Sequence, residues 1–238
     1  LHKEYRRQRQ MCIRDSDTTE PGRMCDLIAD QSALRIKNDG ADAVKFLLYY
    51  DPDESDEIND KKKAFVERVG AETKANGLPF FLELLTYDGK MDDVKSEEYA
   101  KVKPEKVFKT IEEFSKPQYD VTVLKVEIPF NVKYVEGFNG DNNVVYTQEE
   151  AKKMLKKQSD LTDLPYIFLS AGVTSEEFIA EIKMAEEADA DFNGVLCGRA
   201  TWKPAIKPFA AEGEKQGREW LSTEGKKLSL IHISEPTR

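Results

Sequence analysis

Apolar runs of strand length recur along the chain and alternate with polar segments of helical pattern. Five runs are rich in β-branched and aromatic residues, at 43–50, 79–86, 121–129, 164–170 and 192–198. Continuous apolar runs of this kind are typical of strands that are covered on both faces, as in parallel sheets. The pattern therefore predicts five buried parallel strands.

The segments between these runs carry helix signals. Predicted helices cover residues 26–37, 56–76, 92–116 in two pieces split by Pro104, 147–157, 174–188 and 212–221. Thr174 followed by Glu177 forms a capping-box pattern, and Asn76-Gly77 is a typical helix end. Strands alternate with helices at intervals of about 35 to 45 residues, which predicts βα units and an α/β fold.

Two α/β architectures fit this alternation. No Gly-x-Gly-x-x-Gly follows a predicted strand, so a dinucleotide-binding fold is disfavoured. A (β/α)8 TIM barrel needs eight strands and about 250 residues. The chain has 238 residues and five predicted strands. The sequence therefore predicts either an open five-stranded sheet or most of a barrel without its first units.

The two ends differ in character from the rest of the chain. Residues 1–16 are basic without an amphipathic period, and residues 228–238 break off a helical pattern abruptly. Both resemble translated sequencing-adapter sequence, which is excluded from fold reasoning; the alternative is an ordinary variable terminus. We expect residues 1–16 and 228–238 to be artefactual or disordered, and residues 17–227 to form a partial barrel.

Composition narrows the classes of partner and cofactor. The net charge of −9 argues against a nucleic-acid partner but allows a phosphorylated substrate in a local basic pocket. The charged residues occur mostly in runs that look like helix faces exposed to solvent. Three cysteines without CxxC spacing, and no histidine within residues 17–227, predict no zinc-type cluster and no histidine-based metal chemistry. With no signal peptide and no apolar run near ~18 residues, we expect a cytoplasmic protein without membrane contact.

One lysine, Lys125, lies in the middle of the apolar run 121–129. Burial disfavours the charged form of a lysine, so a neutral and nucleophilic amine becomes available. Such amines form Schiff bases with carbonyl substrates. The alternatives are a lysine that snorkels from an edge strand or one that pairs with a buried glutamate.

The neighbouring strands also carry charges at their centres. Because side chains alternate along a strand, Lys125 and Glu127 should share one face, and the opposite face of that strand is wholly apolar. The same alternation places Lys45 and Glu83 at mid-strand in the two preceding strands. Three buried charges on consecutive strands predict an assembled site, since unpaired burial is costly. A Lys–Glu–Lys network that only braces the sheet is the alternative.

Small residues follow the last two predicted strands. Ser170-Ala-Gly172 and Gly198-Arg199 lie at carboxyl ends, where exposed backbone N–H groups reach a ligand and an arginine can bind phosphate bidentately. Barrel phosphate sites commonly form at the loops after the last two strands. The sequence therefore predicts a phosphate site built from Ser170, Gly172, Gly198 and Arg199.

Five motifs carry a family resemblance, namely AVKFLLYY at 43–50, PFFLELL at 79–85, VLKVEIP at 123–129, LSAGV at 169–173 and VLCGRATW at 195–202. In order and spacing they resemble the class I tagatose 1,6-bisphosphate aldolases, over residues 17–225. The resemblance implies a (β/α)8 barrel in which the five strands are the fourth to the eighth. It implies a Schiff-base role for Lys125, acid/base chemistry for Glu83 and substrate polarisation for Lys45, with phosphate binding at Ser170 and Arg199.

The implied reaction is cleavage of tagatose 1,6-bisphosphate to dihydroxyacetone phosphate and glyceraldehyde 3-phosphate, without a metal or other cofactor. The implied partner is a small sugar bisphosphate, and the full-length parent is expected to be a homo-oligomer. Alternatives are a related aldolase for fructose bisphosphate or sulfofructose phosphate, and a non-catalytic phosphosugar-binding barrel. The family's Asp-Gln-Arg motif on its first strand has no counterpart here, so we expect a fragment that is poorly soluble or inactive.

Overall fold

The computed structural model describes residues 10–15, 21–196 and 198–231. Within these ranges the chain forms one six-stranded sheet in which every neighbouring pair is parallel. The strands are β1 Gln10–Asp15, β2 Ala43–Tyr50, β3 Phe80–Thr86, β4 Val123–Val126, β5 Tyr166–Leu169 and β6 Val195–Leu196. Their sequential order is that of a (β/α)8 barrel, whereas the order reverses in doubly wound sheets. The predicted α/β class with a parallel sheet is confirmed.

Helices connect the strands and cover the sheet. They are α1 Ala33–Asn38, α2 Asp56–Ala75, α3 Glu97–Phe114, α4 Gln148–Ser159, α5 Ser175–Glu187, α6 Arg199–Trp202, α7 Ile206–Glu212, α8 Glu214–Trp220 and α9 Lys226–Ile231. Thr147 and Thr174 begin α4 and α5 with complete capping boxes, as the sequence pattern predicts for the second. Within the described residues, no helix is long and apolar enough to cross a membrane.

The predicted break of the third helix at Pro104 is wrong, because α3 runs through this residue as one helix. A proline lacks the N–H that would bond the carbonyl four residues earlier, here Ala100. The Tyr146 hydroxyl lies 3.1 Å from that carbonyl and 3.1 Å from the Lys101 carbonyl, and its one proton is shared between them. A side chain from a distant segment thus satisfies the acceptor that the proline leaves open.

One other helix boundary differs from the prediction, and one helix was not predicted. The first helix begins at Ala33 rather than at residue 26, since the Ser32 side chain accepts a hydrogen bond from the Arg35 N–H and caps the helix there. The helix predicted for residues 212–221 is present as α8, whereas α7, which precedes it and is separated from it by Gly213, was not predicted. Gly213 has a φ of +89°, a conformation that interrupts a right-handed helix.

The expected count of five strands is also wrong. Gln10–Asp15 forms a sixth strand, β1, which pairs with β2 and places Gln10 beside Ala43. These residues lie within the segment 1–16, whose artefactual origin stays a prediction. Residues 1–9, 16–20 and 232–238 lie outside the described residues, so the expectation of disorder there stays untested as well.

The hydrophobic core lies between the sheet and its helices. On β4 the predicted apolar face is confirmed, because Leu124 and Val126 are buried together with Ile128 just beyond the strand. Phe114 of α3 packs edge-on against Tyr50 of β2, with ring centroids 5.0 Å apart. Burying this face against helices leaves the opposite face of each strand for polar side chains.

Candidate active site

Three strands bring together Lys45, Glu83 and Lys125, which we call the ion triad. The β3–β4 register places Glu83 directly beside Lys125. Glu83 lies opposite Leu47 in the β2–β3 register, so Lys45 reaches it from one diagonal position away. One carboxylate therefore lies between two ammonium groups from the strands on either side.

The Glu83 carboxylate binds one lysine with each oxygen. Its Oε2 lies 2.9 Å from Lys45 Nζ, and its Oε1 lies 2.9 Å from Lys125 Nζ. The three side chains expose only 15%, 10% and 11% of their surface for Lys45, Glu83 and Lys125, respectively. Close pairing offsets part of the cost of removing these charges from water. The triad carries a net charge of +1, which suits an anionic substrate.

This geometry supports two distinct roles for the lysines. A lysine is a nucleophile only as the neutral amine, and Glu83 lies within hydrogen-bond distance to take the proton of Lys125. The second oxygen keeps its contact with Lys45, so that ammonium can hold a substrate oxygen while its charge is retained. The sequence prediction that these three residues form one cluster agrees with their observed contacts.

The loop after β5 makes a tight turn at the carboxyl edge of the sheet. Ser170 is buried, and the next residues, Ala171 and Gly172, have φ angles of +45° and +80°. The turn closes with a hydrogen bond from the Val173 N–H to the Ser170 carbonyl, after which Thr174 caps α5. Consecutive left-handed residues orient backbone N–H groups toward one side, as anion-binding loops require.

The loop after β6 lies on the neighbouring strand. Gly198 precedes α6, and its carbonyl accepts hydrogen bonds from the Thr201 and Trp202 N–H groups. Arg199 is the first residue of α6, but its side chain lies outside the described part of the chain. Because β5 and β6 are adjacent and parallel, both loops begin at the carboxyl edge of the sheet. Phosphate binding by Ser170, Gly172, Gly198 and Arg199 stays a prediction.

Glu127 does not lie on the same face as Lys125, so the prediction that these two residues share a face is wrong. Strand β4 ends at Val126, and the alternation of side chains ends with it. The Glu127 carboxylate accepts hydrogen bonds from Thr86 and lies 3.6 Å from Lys103 of α3. It therefore faces the covering helices rather than the ion triad.

Sequence reasoning missed a buried lysine that ties together the loops after β2 and β3. Lys106 Nζ lies 2.5 Å from Asp51, 3.0 Å from Asp53 and 3.1 Å from Asp88. Asp51 follows β2 directly and also accepts a hydrogen bond from the Gly89 N–H. The aspartates can be placed at strand ends from the sequence. Lys106 was missed because it lies within a helix whose many charged residues predict exposure to solvent.

A second group of residues that the sequence did not single out surrounds Tyr87, just after β3. The Arg23 guanidinium stacks over the rings of Tyr49 and Tyr87, at 5.0 and 4.7 Å from their centroids. Lys62 of α2 donates to the Tyr49 carbonyl and the Tyr87 hydroxyl. Burial lowers the pKa of Lys62 to about 8. Lys62 lies in a run of three lysines, which made it look solvent-exposed.

No metal-binding arrangement is present in the described ranges, where no group of three or more His, Cys, Asp or Glu side chains is placed to hold an ion. The three aspartates around Lys106 are arranged about its ammonium group instead. The ion triad itself offers two amines and one carboxylate.

Residues 12–204 match the model of the DeoC/LacD family of aldolases. This chain belongs to the DeoC/LacD aldolase family. It is 56% identical over 210 residues to tagatose 1,6-diphosphate aldolase 2 of Enterococcus faecalis, an alignment that covers 88% of this chain and 63% of that protein. It is 54% identical over 209 residues to tagatose 1,6-diphosphate aldolase of Lactococcus lactis subsp. lactis, covering 88% and 64%. The chain thus spans less than two thirds of the length of these relatives.

Solved aldolase structures share the fold of this family member. An archaeal fructose-1,6-bisphosphate aldolase, with its catalytic lysine bound to a carbinolamine intermediate, superposes with a TM-score of 0.54 at 15% identity. That match covers 87% of this chain and 64% of the other. The fructose-bisphosphate aldolase of Plasmodium falciparum gives a TM-score of 0.57 at 17% identity, covering 84% and 59%. At these identities the likeness establishes the fold alone.

Proposed function

We propose that the protein is a class I aldolase that cleaves tagatose 1,6-bisphosphate to dihydroxyacetone phosphate and glyceraldehyde 3-phosphate. The observation that carries the proposal is the Glu83 carboxylate held between Lys125 and Lys45, 2.9 Å from each. Membership of the DeoC/LacD family and 54–56% identity to proteins named tagatose 1,6-diphosphate aldolase support the choice of substrate.

The first half of the reaction is formation of a Schiff base at Lys125. Glu83 accepts a proton from Lys125, and the neutral amine attacks the C2 carbonyl of the open-chain ketose. The resulting carbinolamine loses its hydroxyl as water after Glu83 returns a proton to it. The products of this half are a protonated imine on Lys125 and one molecule of water.

The second half breaks the bond between C3 and C4. Removal of the C4 hydroxyl proton lets the electrons of the C3–C4 bond move into the protonated imine, which gives an enamine and releases glyceraldehyde 3-phosphate. Protonation at C3 and hydrolysis then release dihydroxyacetone phosphate and free Lys125. Glu83 takes part in these proton transfers, while the Lys45 ammonium stabilises the negative charge that develops on substrate oxygens.

The two phosphates of the substrate need anion-binding groups beyond the ion triad. We propose that the loops after β5 and β6 hold one of them, through the backbone N–H groups around Ser170 and Gly172 and through Gly198 and Arg199. The left-handed turn at Ala171 and Gly172 supports this assignment. A homo-oligomeric state and a cytoplasmic location stay predictions from the sequence.

The proposal is tested on the full-length parent by borohydride trapping with dihydroxyacetone phosphate, followed by peptide mass spectrometry. The kinetic variants are made in the same full-length parent, because the 238-residue chain is expected to be poorly soluble or inactive. We expect a reduced adduct on Lys125 in the protein and none in Lys125→Met, while Lys45→Met still forms it. An adduct on another residue would overturn the assignment of Lys125. A folded wild-type protein that forms no adduct would favour the non-catalytic phosphosugar-binding alternative.

Substrate choice is tested separately by comparing kcat/KM for tagatose 1,6-bisphosphate, fructose 1,6-bisphosphate and sulfofructose phosphate. Tagatose and fructose bisphosphates differ only in configuration at C4, the carbon whose hydroxyl loses its proton. We expect cleavage of the tagatose compound to be at least as efficient as that of the fructose compound. A marked preference for the sulfonated sugar would place the protein in the alternative aldolase class.

A further inference from the structure

Glu127 lies two residues after Lys125, and its buried carboxylate binds the carboxyl end of the adjacent strand β3. Its Oε2 accepts hydrogen bonds from the Thr86 N–H at 2.7 Å and from the Thr86 hydroxyl at 2.8 Å. Thr86 in turn lies three residues after Glu83. Hydrogen bonds to an ionised carboxylate are stronger than neutral ones, particularly when water is excluded. Glu127 and Thr86 therefore link the strands that carry the proposed nucleophile and its proton acceptor.

The β3–β4 ladder ends at Glu83 and Lys125, the proposed proton acceptor and nucleophile. Its paired positions are Phe81 with Val123, Leu82 with Leu124 and Glu83 with Lys125. Past Glu83 and Lys125 no further register pair joins these two strands in the described residues. The Glu127–Thr86 contact is a side-chain link beyond the last backbone pair, on the side toward the carboxyl edge.

Further side chains hold this link in place. The Thr86 hydroxyl gives its one proton to Glu127, so the Tyr99 hydroxyl at 2.8 Å must donate to Thr86. Burial raises the pKa of Tyr99, which keeps this hydroxyl protonated. Lys103 of α3 lies 3.6 Å from Glu127 Oε1 and donates to the Phe130 carbonyl at 3.3 Å. Two covering-helix residues thus support the Glu127–Thr86 contact.

The backbone of Glu127 is fixed as well. Gln158 of α4 donates to the Glu127 carbonyl at 2.9 Å. With its carbonyl held by α4 and its carboxylate held by β3 and α3, Glu127 has little freedom to move along the strand. The position of Lys125, two residues earlier, is constrained by the same contacts.

We propose that Glu127 is a positioning residue for Lys125: its carboxylate holds the end of β4 against β3, so that Lys125 Nζ stays within hydrogen-bond distance of Glu83. This inference rests on the proposed Schiff-base function. Loss of the link slows imine formation, which needs proton exchange between Lys125 and Glu83. Substrate binding depends on other groups and changes little.

The test measures the rate of imine formation with dihydroxyacetone phosphate, by borohydride quench at increasing times, together with its dissociation constant. We expect Glu127→Leu to slow trapping by about 10- to 100-fold, since displacement of a reacting group by about 1 Å costs up to about 100-fold in rate. The dissociation constant should change by less than about threefold. Glu127→Gln keeps one acceptor oxygen for Thr86 and should recover part of the lost rate.

Two further variants keep the test decisive. Thr86→Val removes the hydroxyl that donates to Glu127 and accepts from Tyr99, but it retains the shape and the backbone N–H, so it should slow trapping even where Glu127→Leu fails to fold. Glu113→Gln is the control, because this carboxylate also accepts hydrogen bonds, from Tyr119 and Lys116, but lies on α3 outside the link. Its trapping rate should equal that of the wild type.

The outcomes separate this inference from the proposed function. A wild-type protein that forms no adduct overturns the proposed function and this role with it. Normal trapping in wild type, Thr86→Val and Glu127→Gln alike overturns the positioning role alone. Equal slowing in Glu113→Gln also overturns it, because the effect would then reflect general stability rather than the β3–β4 link.

Discussion

Glu83 and Lys125 are the last register pair of the β3–β4 ladder, and their side chains meet with 2.9 Å between Oε1 and Nζ. The other carboxylate oxygen lies equally close to Lys45 of β2. This single carboxylate thus serves two amines with different proposed roles. The same contacts would brace a sheet that has no catalytic role, so variants that separate the two interpretations are the most informative.

Glu83→Gln retains the shape of the side chain but removes the proton acceptor between the two lysines. We expect kcat to fall by about 10²- to 10⁴-fold, the usual contribution of a general acid or base. The KM should change much less, and borohydride trapping at Lys125 should slow in parallel with kcat. A variant that keeps wild-type kcat would indicate that Glu83 only braces the strands.

Lys45→Met tests the second amine of the ion triad. We expect kcat/KM to fall by about 100-fold or more, because a charge that stabilises a developing oxyanion is lost from a buried site. The adduct should still form at Lys125, whereas Lys125→Met should form none. Loss of the adduct in a folded Lys45→Met protein would contradict the division of roles between the two lysines.

Lys106→Met removes the cation that three aspartates share at the ends of β2 and β3. We expect a loss of about 3–5 kcal/mol in the free energy of unfolding, since Asp51 is left as a buried carboxylate without its cation. Denaturant unfolding measures the change. The matched control is Lys109→Met, whose exposed pair with Asp53 should contribute at most about 1 kcal/mol. Equal losses in both variants would refute the special role of Lys106.

Glu181 of α5 gives the stability a pH dependence. Burial raises its pKa to about 8, against an opposing effect of Lys103 and a reinforcing one of Glu177. Between the unfolded pKa of 4.5 and about 8, the folded state binds a proton that the unfolded state lacks, so this group lowers stability as pH rises. The effect is at most about 1.4 kcal/mol per pH unit.

Glu181→Gln should therefore gain in stability relative to the wild type as the pH rises from 5 to about 8, with a constant difference above that. Thermal unfolding across this range measures the gap between the two proteins. Glu186→Gln, which changes an exposed carboxylate on the same helix, is the matched control. A Glu181→Gln protein that loses stability relative to the wild type as the pH rises from 5 to about 8 would contradict the direction of the pKa shift.

Tyr146→Phe tests how α3 continues through Pro104. We expect a cost of about 0.5–1.5 kcal/mol, the usual contribution of one hydrogen bond, because the Ala100 carbonyl loses the Tyr146 hydroxyl. In a Pro104→Ala background, the new N–H can bond this carbonyl within the helix, so the same change should cost less. Strict additivity in this double-mutant cycle would show that the two features are independent.

The sequence accounts for much of the fold and part of the site. Strands β2 to β6 are readable as apolar runs, and the period of two along each strand identifies Lys45, Glu83 and Lys125 as a polar face. The additional strand β1 and the continuation of α3 through Pro104 could not be predicted from the sequence. The former lies in a segment of unusual composition, and the latter depends on Tyr146, which is distant from Pro104 in sequence.

What the sequence by itself determined is which side chains within one strand lie on the same face, because strand geometry fixes that locally. Only the tertiary structure decided which atoms meet. The register between β3 and β4 places Glu83 beside Lys125. The end of β4 at Val126 turns Glu127 toward Thr86, a residue 41 positions away along the chain. Register and strand ends depend on contacts between distant segments, so no local pattern reveals them.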